Sequence, residues 1–457
     1  MKKKKYQIDL TNGPLFRKIL LFSIPLLFTN LLQLTFHIAD MVVVGKFASA
    51  NALAGVGCAF AVCAVVINIF QALSVGTSVL TARYFGAKDH PNLRKCVHSS
   101  IALALYGGIA LMLLGEFISV PVLKKMNTPA EVFPEALTYL RIIFLSVPAI
   151  LLYNFGCAVL RSIGDTRRPM YFLTIAGVVN VLFNLFCVIC LGMGAGGVAV
   201  ATLISHYVSA ILILKTLTSS KESYQLIWRF VRFNPRQCKQ ILLIGVPASI
   251  HSSTYAVSNM IIQAALNGLG AMAVAGFLAA GSFDSLAATI AATFHYSTLT
   301  VVAQNHGAKQ FDRIQTGFFY CLWTALSLLF IAGWALYLFG KPLLWMFTND
   351  PEVVKWGLVR MQYLCTTIFL CSLQECAFAA LRGLGYSIIS MVIPVITICG
   401  FRFVWIFAIF PHDPTFANLM VSYPISWTLA GIAGLIMLHW IWKHKIRQDA
   451  PQKIHSL

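Results

Sequence analysis

The residues from Leu15 to Gly45 form a long, mostly apolar run that carries one carboxylate, Asp40. The run exceeds the ~20 residues that a helix needs to cross a bilayer, so it predicts a membrane-spanning helix with tilt or a kink. Pro25 is the predicted hinge, because proline removes a helix hydrogen bond and clashes with the preceding turn. A carboxylate at hydrocarbon depth is costly unless it is protonated, paired or in a wet cavity. Asp40 is therefore a candidate functional residue.

Three polar residues precede Asp40 at helical spacings, namely Asn30, Gln33 and His37. All four are expected on one side of the helix. Gln33 and His37 are therefore candidates for lining a substrate cleft or for a second proton site. A structural alternative stays open, in which Asp40 caps the outer end of the helix or pairs with Lys46.

The composition is that of a polytopic membrane protein. Of 457 residues, 58% are hydrophobic and 11% are charged, whereas soluble proteins have roughly 45–50% and 25%. The net charge of +19 comes from basic residues dispersed in short loops, which membrane topology requires, so no nucleic-acid partner is expected. The twelve cysteines lie mostly in apolar segments without zinc-binding spacing, and they read as small buried residues.

Twelve apolar segments predict twelve transmembrane helices. Their approximate bounds are 15–45, 52–80, 93–119, 135–160, 170–190, 196–219, 240–266, 273–303, 315–345, 353–381, 387–410 and 418–443. With an inner N-terminus, the inner segments hold 26 of the 34 Lys and Arg residues and the outer segments hold seven. This bias predicts a multi-pass protein of the cell membrane with both termini in the cytoplasm.

The chain contains an internal repeat. The sequence GAK occurs at 86–88 and 307–309, and LRSIG at 160–164 recurs as LRGLG at 381–385, both at an offset of 221 residues. Each repeat holds six segments, an even number, so the halves are expected to be parallel.

The predicted fold is an all-α integral membrane protein, with twelve transmembrane helices in two parallel-repeat six-helix bundles around a central cleft. The predicted domains are an N-terminal lobe at 1–217, a cytoplasmic linker at 218–239, a C-terminal lobe at 240–443 and a cytoplasmic tail at 444–457.

Three residues on other helices are expected near Asp40. At ~1.5 Å per residue, Asn184 and Thr202 lie at a similar depth, and Asn180 lies one turn below Asn184 on the same face. One carboxylate, two amides and a hydroxyl offer hard oxygen ligands that suit Na⁺, and the carboxylate can instead take a proton. The alternative is that Asn180, Asn184 and Thr202 form interhelical hydrogen bonds with a structural role only.

Several motifs together resemble the multidrug and toxic compound extrusion family. They are Asp40 followed by VVVG, the turns ARYFGAKD and VAQNHGAKQ after segments 2 and 8, and the LRxxG turns after segments 4 and 10. The resemblance covers essentially the whole chain. It implies a cation-coupled antiporter that expels small amphipathic, often cationic, compounds through a cleft between two lobes.

The resemblance also implies where the coupling ion binds. In one branch of the family the cation site corresponds to Asp40, Asn180, Asn184 and Thr202. Asn184 stands where that branch has Asp, so Na⁺ would be held less tightly and one proton carried. Another branch has acids on helices 7 and 10, but helix 7 has none here and Cys371 occupies the helix 10 position. Ile261 or Ile262 aligns with Asp40 in the second half, so coupling is expected in the N-terminal lobe.

Two other acids fall inside apolar segments. Asp284 and Glu375 are candidates for attracting a cationic substrate or for a second proton site. The alternative is structural pairing with Arg402, which is expected to be the one arginine in the membrane interior, or with a histidine such as His251 or His295.

Enzyme chemistry has little support in the sequence. GMGAGG at 192–197 matches no nucleotide fingerprint, and neither HExxH nor GxSxG occurs. The expectation is a monomeric transporter in the bilayer, with no cofactor beyond a coupling ion, H⁺ or Na⁺. The alternatives are a flippase for a lipid-linked saccharide or related lipid precursor, a membrane acyl or glycosyl transferase, and a major facilitator transporter.

Overall fold

The protein is helical throughout the part that the computed structural model describes, residues 6–47 and 49–446. For some residues of the first two helices only the backbone is described. Twelve helical segments follow one another over these residues, with no strand among them.

The first six helices precede a long connection. They are α1 Leu15–Phe47, α2 Ala50–Gly86, α3 His90–Lys125, α4 Phe133–Ser162, α5 Arg167–Leu185 with a π-helical turn Phe186–Cys190, and α6 Gly194–Ser219.

The last six helices follow this connection, and several of them are broken or extended by short helical turns. They are α7 Pro235–Asn267, α8 Ala271–Gly307, α9 Phe311–Leu338 followed by a short helix Gly340–Trp345, α10 in two parts Pro351–Leu364 and Phe369–Gly383, α11 Ser387–His412 with π-helical turns, and α12 Phe416–Ile441 with a π-helical turn Trp442–Ile446.

These helices have the length and composition of membrane spans. Among the described residues, ten are long and apolar enough to cross a bilayer, and the two parts of α10, bent by 48°, make an eleventh. The prediction of an all-α integral membrane fold is confirmed.

The repeat is visible in the backbone of the turns. Lys88 and Lys309, which are 221 residues apart, adopt φ values of 55° and 56°. Gly164 and Gly385, at the same offset, adopt 86° and 91°. A positive φ is uncommon for lysine, so the two halves build the same unusual turn at the same place.

The chain forms two compact units. Of the residues that the structure describes, the first unit contains 6–9 and Ile24–Ser249, and the second contains Leu10–Ser23 and 250–446. Within the first unit, α4 is central and packs against α2, α3 and α6. Within the second unit, α8 and α12 both pack against the second part of α10.

The bounds of these units differ from the predicted lobes 1–217 and 240–443 in two places. The start of α1 belongs to the second unit, where the Ser23 and Ser297 hydroxyls are 2.8 Å apart. The start of α7 belongs to the first unit, where the Ser249 hydroxyl donates to the Ile69 carbonyl at 2.7 Å. The chain thus passes between units inside α1, one residue before Pro25, and inside α7.

Candidate functional site

The structure brings the four predicted cation-site residues together in the first unit. The Asn184 amide donates to Asp40 Oδ1 at 2.5 Å and to Asn180 Oδ1 at 3.2 Å. The Asn180 amide in turn donates to the Thr202 hydroxyl at 3.4 Å. One hydrogen-bonded chain therefore joins α1, α5 and α6.

The hydrogen-bonded chain from Asp40 to Thr202 is largely shielded from solvent, so a charge on it has a large energetic effect. Asn184 is fully buried and Asn180 nearly so, whereas Asp40 is partly exposed. Because the Asn184 amide nitrogen serves both acceptors, its oxygen is buried without a hydrogen-bond partner among the described residues. A partly buried carboxylate beside an oxygen that has no partner is an arrangement that a proton or a small cation can satisfy.

Asp40 does not cap its helix, because α1 continues to Phe47. The predicted alternative of a capping role is therefore wrong. The side chains of Lys46 and His37 lie outside the described part of the chain, and so the pairing with Lys46 and the predicted role of His37 stay predictions.

The site opens into a cavity of about 350 Å³ that lies entirely within the first unit. Gln33, predicted as a cleft residue, lines it together with Asp40. Its polar and aromatic lining, drawn from α1, α2, α4, α5 and α6, includes Asn68, Gln71, Tyr139, Tyr153, Asn154, Asn180, Thr202 and His206.

Sequence reasoning missed part of this lining. His206 follows Thr202 by one helical turn, and that spacing alone would have placed it on the same face. Asn154 lies in α4, where no neighbouring acid marks it. Only the packing of α4 beside α6 brings it to the cavity.

Asp284 lies in the second unit and forms an ion pair. Arg360 Nε donates to Asp284 Oδ2 at 2.7 Å, and the Cys365 thiol donates to Oδ1 at 3.2 Å. The same guanidinium donates to the Phe277 carbonyl and lies 3.6 Å from that residue's ring centroid. The partner is thus Arg360, and the suggested pairing with Arg402 or a histidine is wrong for Asp284.

Glu375 belongs to a second polar cluster of the same unit. Its Oε2 lies 2.8 Å from His295 Nδ1, so the pairing with His295 that the sequence suggested is present. The Tyr255 hydroxyl donates to Oε1 at 3.2 Å. Arg382 contacts both His295, at 3.4 Å, and His251. His295 therefore lies between the Glu375 carboxylate and the Arg382 guanidinium, whose positive charge compensates the negative charge of the acid.

Arg402 is fully buried but contacts only neutral groups among the described residues. Its guanidinium donates to the hydroxyls of Ser426 and Ser258 and to the Asn259 side chain, at 3.1–3.3 Å. It also lies 4.0 Å from the Tyr423 ring centroid.

That Arg402 is the one arginine of the membrane interior stays a prediction, but it is not the one buried arginine. Arg360 and Arg382 are also buried. Both stand near the ends of predicted segments, and only the packing of neighbouring helices encloses them.

No group of three or more His, Cys, Asp or Glu side chains that could hold a metal ion occurs in the part of the chain that the structure describes. A bound Na⁺ would therefore depend on Asp40 together with amide and hydroxyl oxygens.

The fold and the cavity define a polytopic helical membrane protein with an acidic pocket inside its first unit. The MatE family model matches the chain twice, over residues 25–186 and 247–407. The chain therefore belongs to the multidrug and toxic compound extrusion (MatE) family of membrane transporters. The starts of the two matches are 222 residues apart and their ends 221, in agreement with the offset of 221 between the turn motifs.

Curated relatives match over most of their length. The chain is 25% identical over 440 residues to "Probable multidrug resistance protein YoeA" of Bacillus subtilis, covering 94% of this chain and 95% of that protein. It is 28% identical over 390 residues to "Probable multidrug resistance protein NorM" of Thermotoga maritima, covering 84% and 83%.

A solved structure matches the fold. The crystal structure of MATE in complex with MaL6 aligns with a TM-score of 0.90 at 21% identity, covering 97% of this chain and 99% of that one.

Proposed function

We propose that this protein is a cation-coupled antiporter that exports small amphipathic compounds by alternating access. The observation that carries the proposal is the hydrogen-bonded chain from Asp40 through Asn184 and Asn180 to Thr202, open to a polar and aromatic cavity. The names of the relatives support multidrug export as the role.

The coupling step is competition for Asp40. A proton or Na⁺ bound there neutralises the one carboxylate among the described residues of the cavity lining, and a cationic substrate bound nearby favours its release. Pro25 lies next to the point where α1 leaves the second unit, which suits the hinge that alternating access requires. The proposal includes a monomer in the cell membrane with both termini cytoplasmic, and it excludes an enzymatic role.

Efflux of ethidium, a fluorescent cation, from vesicles containing the full-length protein tests this function. Na⁺ and pH gradients are imposed separately, so that the coupling ion is identified. Asp40→Asn is expected to abolish gradient-driven efflux at unchanged membrane expression, whereas Glu131→Gln, which alters an exposed acid between α3 and α4, leaves it intact. Unimpaired efflux by Asp40→Asn contradicts the proposal.

One observation favours a second function, a flippase for a lipid-linked saccharide or related lipid precursor. Arg402 is buried with no carboxylate partner among the described residues, and a phosphate headgroup would supply the missing charge. Translocation of a fluorescent lipid-linked saccharide in proteoliposomes, lost in Arg402→Gln, would support this alternative. Absence of translocation by the wild type eliminates it.

A further inference from the structure

His206 differs from three other histidines inside the helices, His98, His251 and His295. It lies half-buried on α6, one turn after Thr202, and it lines the same cavity as Asp40. No hydrogen bond joins its ring to another described residue. By contrast, His251 and His295 both contact Arg382, and His98 bonds to backbone atoms. Its ring nitrogens are therefore available to the cavity.

Few groups around His206 can change charge. Asp40 of α1, Cys63 of α2, and Tyr139 and Tyr153 of α4 line the cavity, whereas α5 contributes no titratable side chain to it. Among the described residues, no lysine or arginine lines it. Histidine is the side chain that ordinarily changes charge between about pH 5 and 8, unlike cysteine or tyrosine. Among the side chains that the structure describes in this cavity, Asp40 and His206 are therefore the two whose charge is expected to change during transport.

We propose that His206 is a second proton-binding group of the cavity, so that each transport cycle exchanges one monovalent cationic substrate for two protons. The inference rests on the proposed function and specifies its coupling ion, because an imidazole takes up protons but is a poor ligand for Na⁺. His206 places a second protonatable side chain in the cavity of Asp40, one turn from Thr202.

The exchange balances in protons and in charge. With both groups deprotonated the cavity carries one negative charge on Asp40, which attracts a cation. With both protonated, Asp40 is neutral and His206 is positive, so a cation is repelled at short range in a medium of low dielectric constant. One positive charge leaves as substrate while two enter as protons, and each cycle therefore moves one net charge inward.

Proton release on binding tests the inference directly. Isothermal titration of ethidium into the purified full-length protein, in Na⁺-free buffers of different ionisation enthalpy, counts the protons released per ethidium bound. As the pH is lowered, the wild type should approach a plateau of two protons. His206→Gln and Asp40→Asn should each approach one. His439→Gln, an exposed histidine of α12, should approach two.

A second readout uses the charge balance. In proteoliposomes at equal pH on both sides, a potassium diffusion potential should drive ethidium transport by the wild type but not by His206→Gln. Should His206→Gln not give a monodisperse protein, His206→Asn replaces it in both measurements.

The outcomes separate the two proposals. A wild-type plateau of one proton that His206→Gln leaves unchanged and Asp40→Asn abolishes overturns the role of His206 and supports the proposed function. A wild type that neither binds ethidium nor releases protons contradicts the proposed function, and the role of His206 with it.

Discussion

The Asn184 side chain donates a hydrogen bond of 2.5 Å to Asp40, from one helix of the first unit to another. The pair consists of one carboxylate and one amide, groups of nearly equal size. Their positions can therefore be exchanged with little change in packing. Exchanging the two residues therefore tests whether transport requires only an acid in this cavity or requires the acid to lie on α1.

The exchanged pair Asp40→Asn with Asn184→Asp should recover part of the efflux that Asp40→Asn loses. The reason is that the acid returns to the same cavity within hydrogen-bond distance of its partner. Ethidium efflux from vesicles, compared at equal expression, measures the recovery. Asn184→Ala in the Asp40→Asn background is the control, because it restores no acid. If both double variants are equally inactive, efflux requires the acid to lie on α1.

Gly177 of α5 allows Phe36 of α1 to pack against it. A Cβ atom at position 177 would lie 1.9 Å from the Phe36 ring, so Gly177→Ala must displace that ring. Overpacking of this kind costs about 1–3 kcal/mol. Because Phe36 precedes Asp40 by one turn and lines the cavity, ethidium efflux and the thermal midpoint in detergent should both fall.

Two variants check this prediction. Phe36→Leu combined with Gly177→Ala removes ring atoms and should recover part of the lost stability. Gly107→Ala in α3, where nothing lies within 4 Å of the added Cβ, should leave the midpoint unchanged or raise it slightly. A Gly177→Ala variant that matches the wild type in both measurements refutes the close packing.

The ion pair of Asp284 with Arg360 is expected to stabilise the second unit and to take no part in coupling. Removing one member of a fully buried pair costs about 3–5 kcal/mol because the other charge is left uncompensated, and this part-buried pair should cost somewhat less. Asp284→Asn and Arg360→Gln should each lower the thermal midpoint strongly. The double variant should melt closer to the wild type and retain efflux. An Asp284→Asn protein of normal stability that transports no ethidium would instead assign Asp284 to transport.

The two repeats differ at the start of α3 and α9, where Asp89 and Gln310 are equivalent residues. The Asp89 carboxylate accepts from the Asn92 backbone N–H at 3.1 Å, whereas Gln310 makes no side-chain capping bond. Gln310→Asp should therefore raise stability, and Asp89→Ala should lower it, each by about 1 kcal/mol. Thermal unfolding at pH 7 checks both directions, and a destabilising Gln310→Asp contradicts the equivalence of the two turns.

The cap in the first repeat should depend on pH. The side-chain hydrogen bond from Asn92 holds the pKa of Asp89 below its ordinary value of 3.8. For an acid whose pKa is lower in the folded state, the stabilisation is complete above the unfolded pKa and is lost as the pH falls through the folded pKa. The difference in midpoint between wild type and Asp89→Ala should shrink below pH 3.8. Asp89→Asn, whose amide does not titrate, should keep the cap there.

Much of the arrangement around Asp40 could be predicted from the sequence. Helical rise and periodicity place Asn180, Asn184 and Thr202 at its depth, and these are local properties that one segment at a time reveals. The contacts observed among the four residues agree with that reasoning. The equivalent turns at Lys88 and Lys309 likewise follow from a repeated motif.

The partners of the other buried charges required the tertiary structure. The apolar environment indicates that Asp284 needs a partner, but Arg360 lies 76 residues away and stands near a predicted segment end. His295 is one of several partners that the sequence suggests for Glu375, whereas Arg382 completes the cluster only because three helices meet there. An unpaired charge in hydrocarbon is costly in every fold. An apolar sequence environment therefore indicates that a charged residue has a partner, but it does not indicate which residue that partner is.

The sequence alone determined the membrane class, the helical segments, the repeat and the position of Asp40 inside an apolar run, because hydrophobicity and helical period act over short stretches of chain. Only the tertiary structure decided that α1 and α7 each contribute to both units and that His206 shares the cavity with Asp40. Those features depend on which helix faces pack together, and side chains distant in sequence decide that packing.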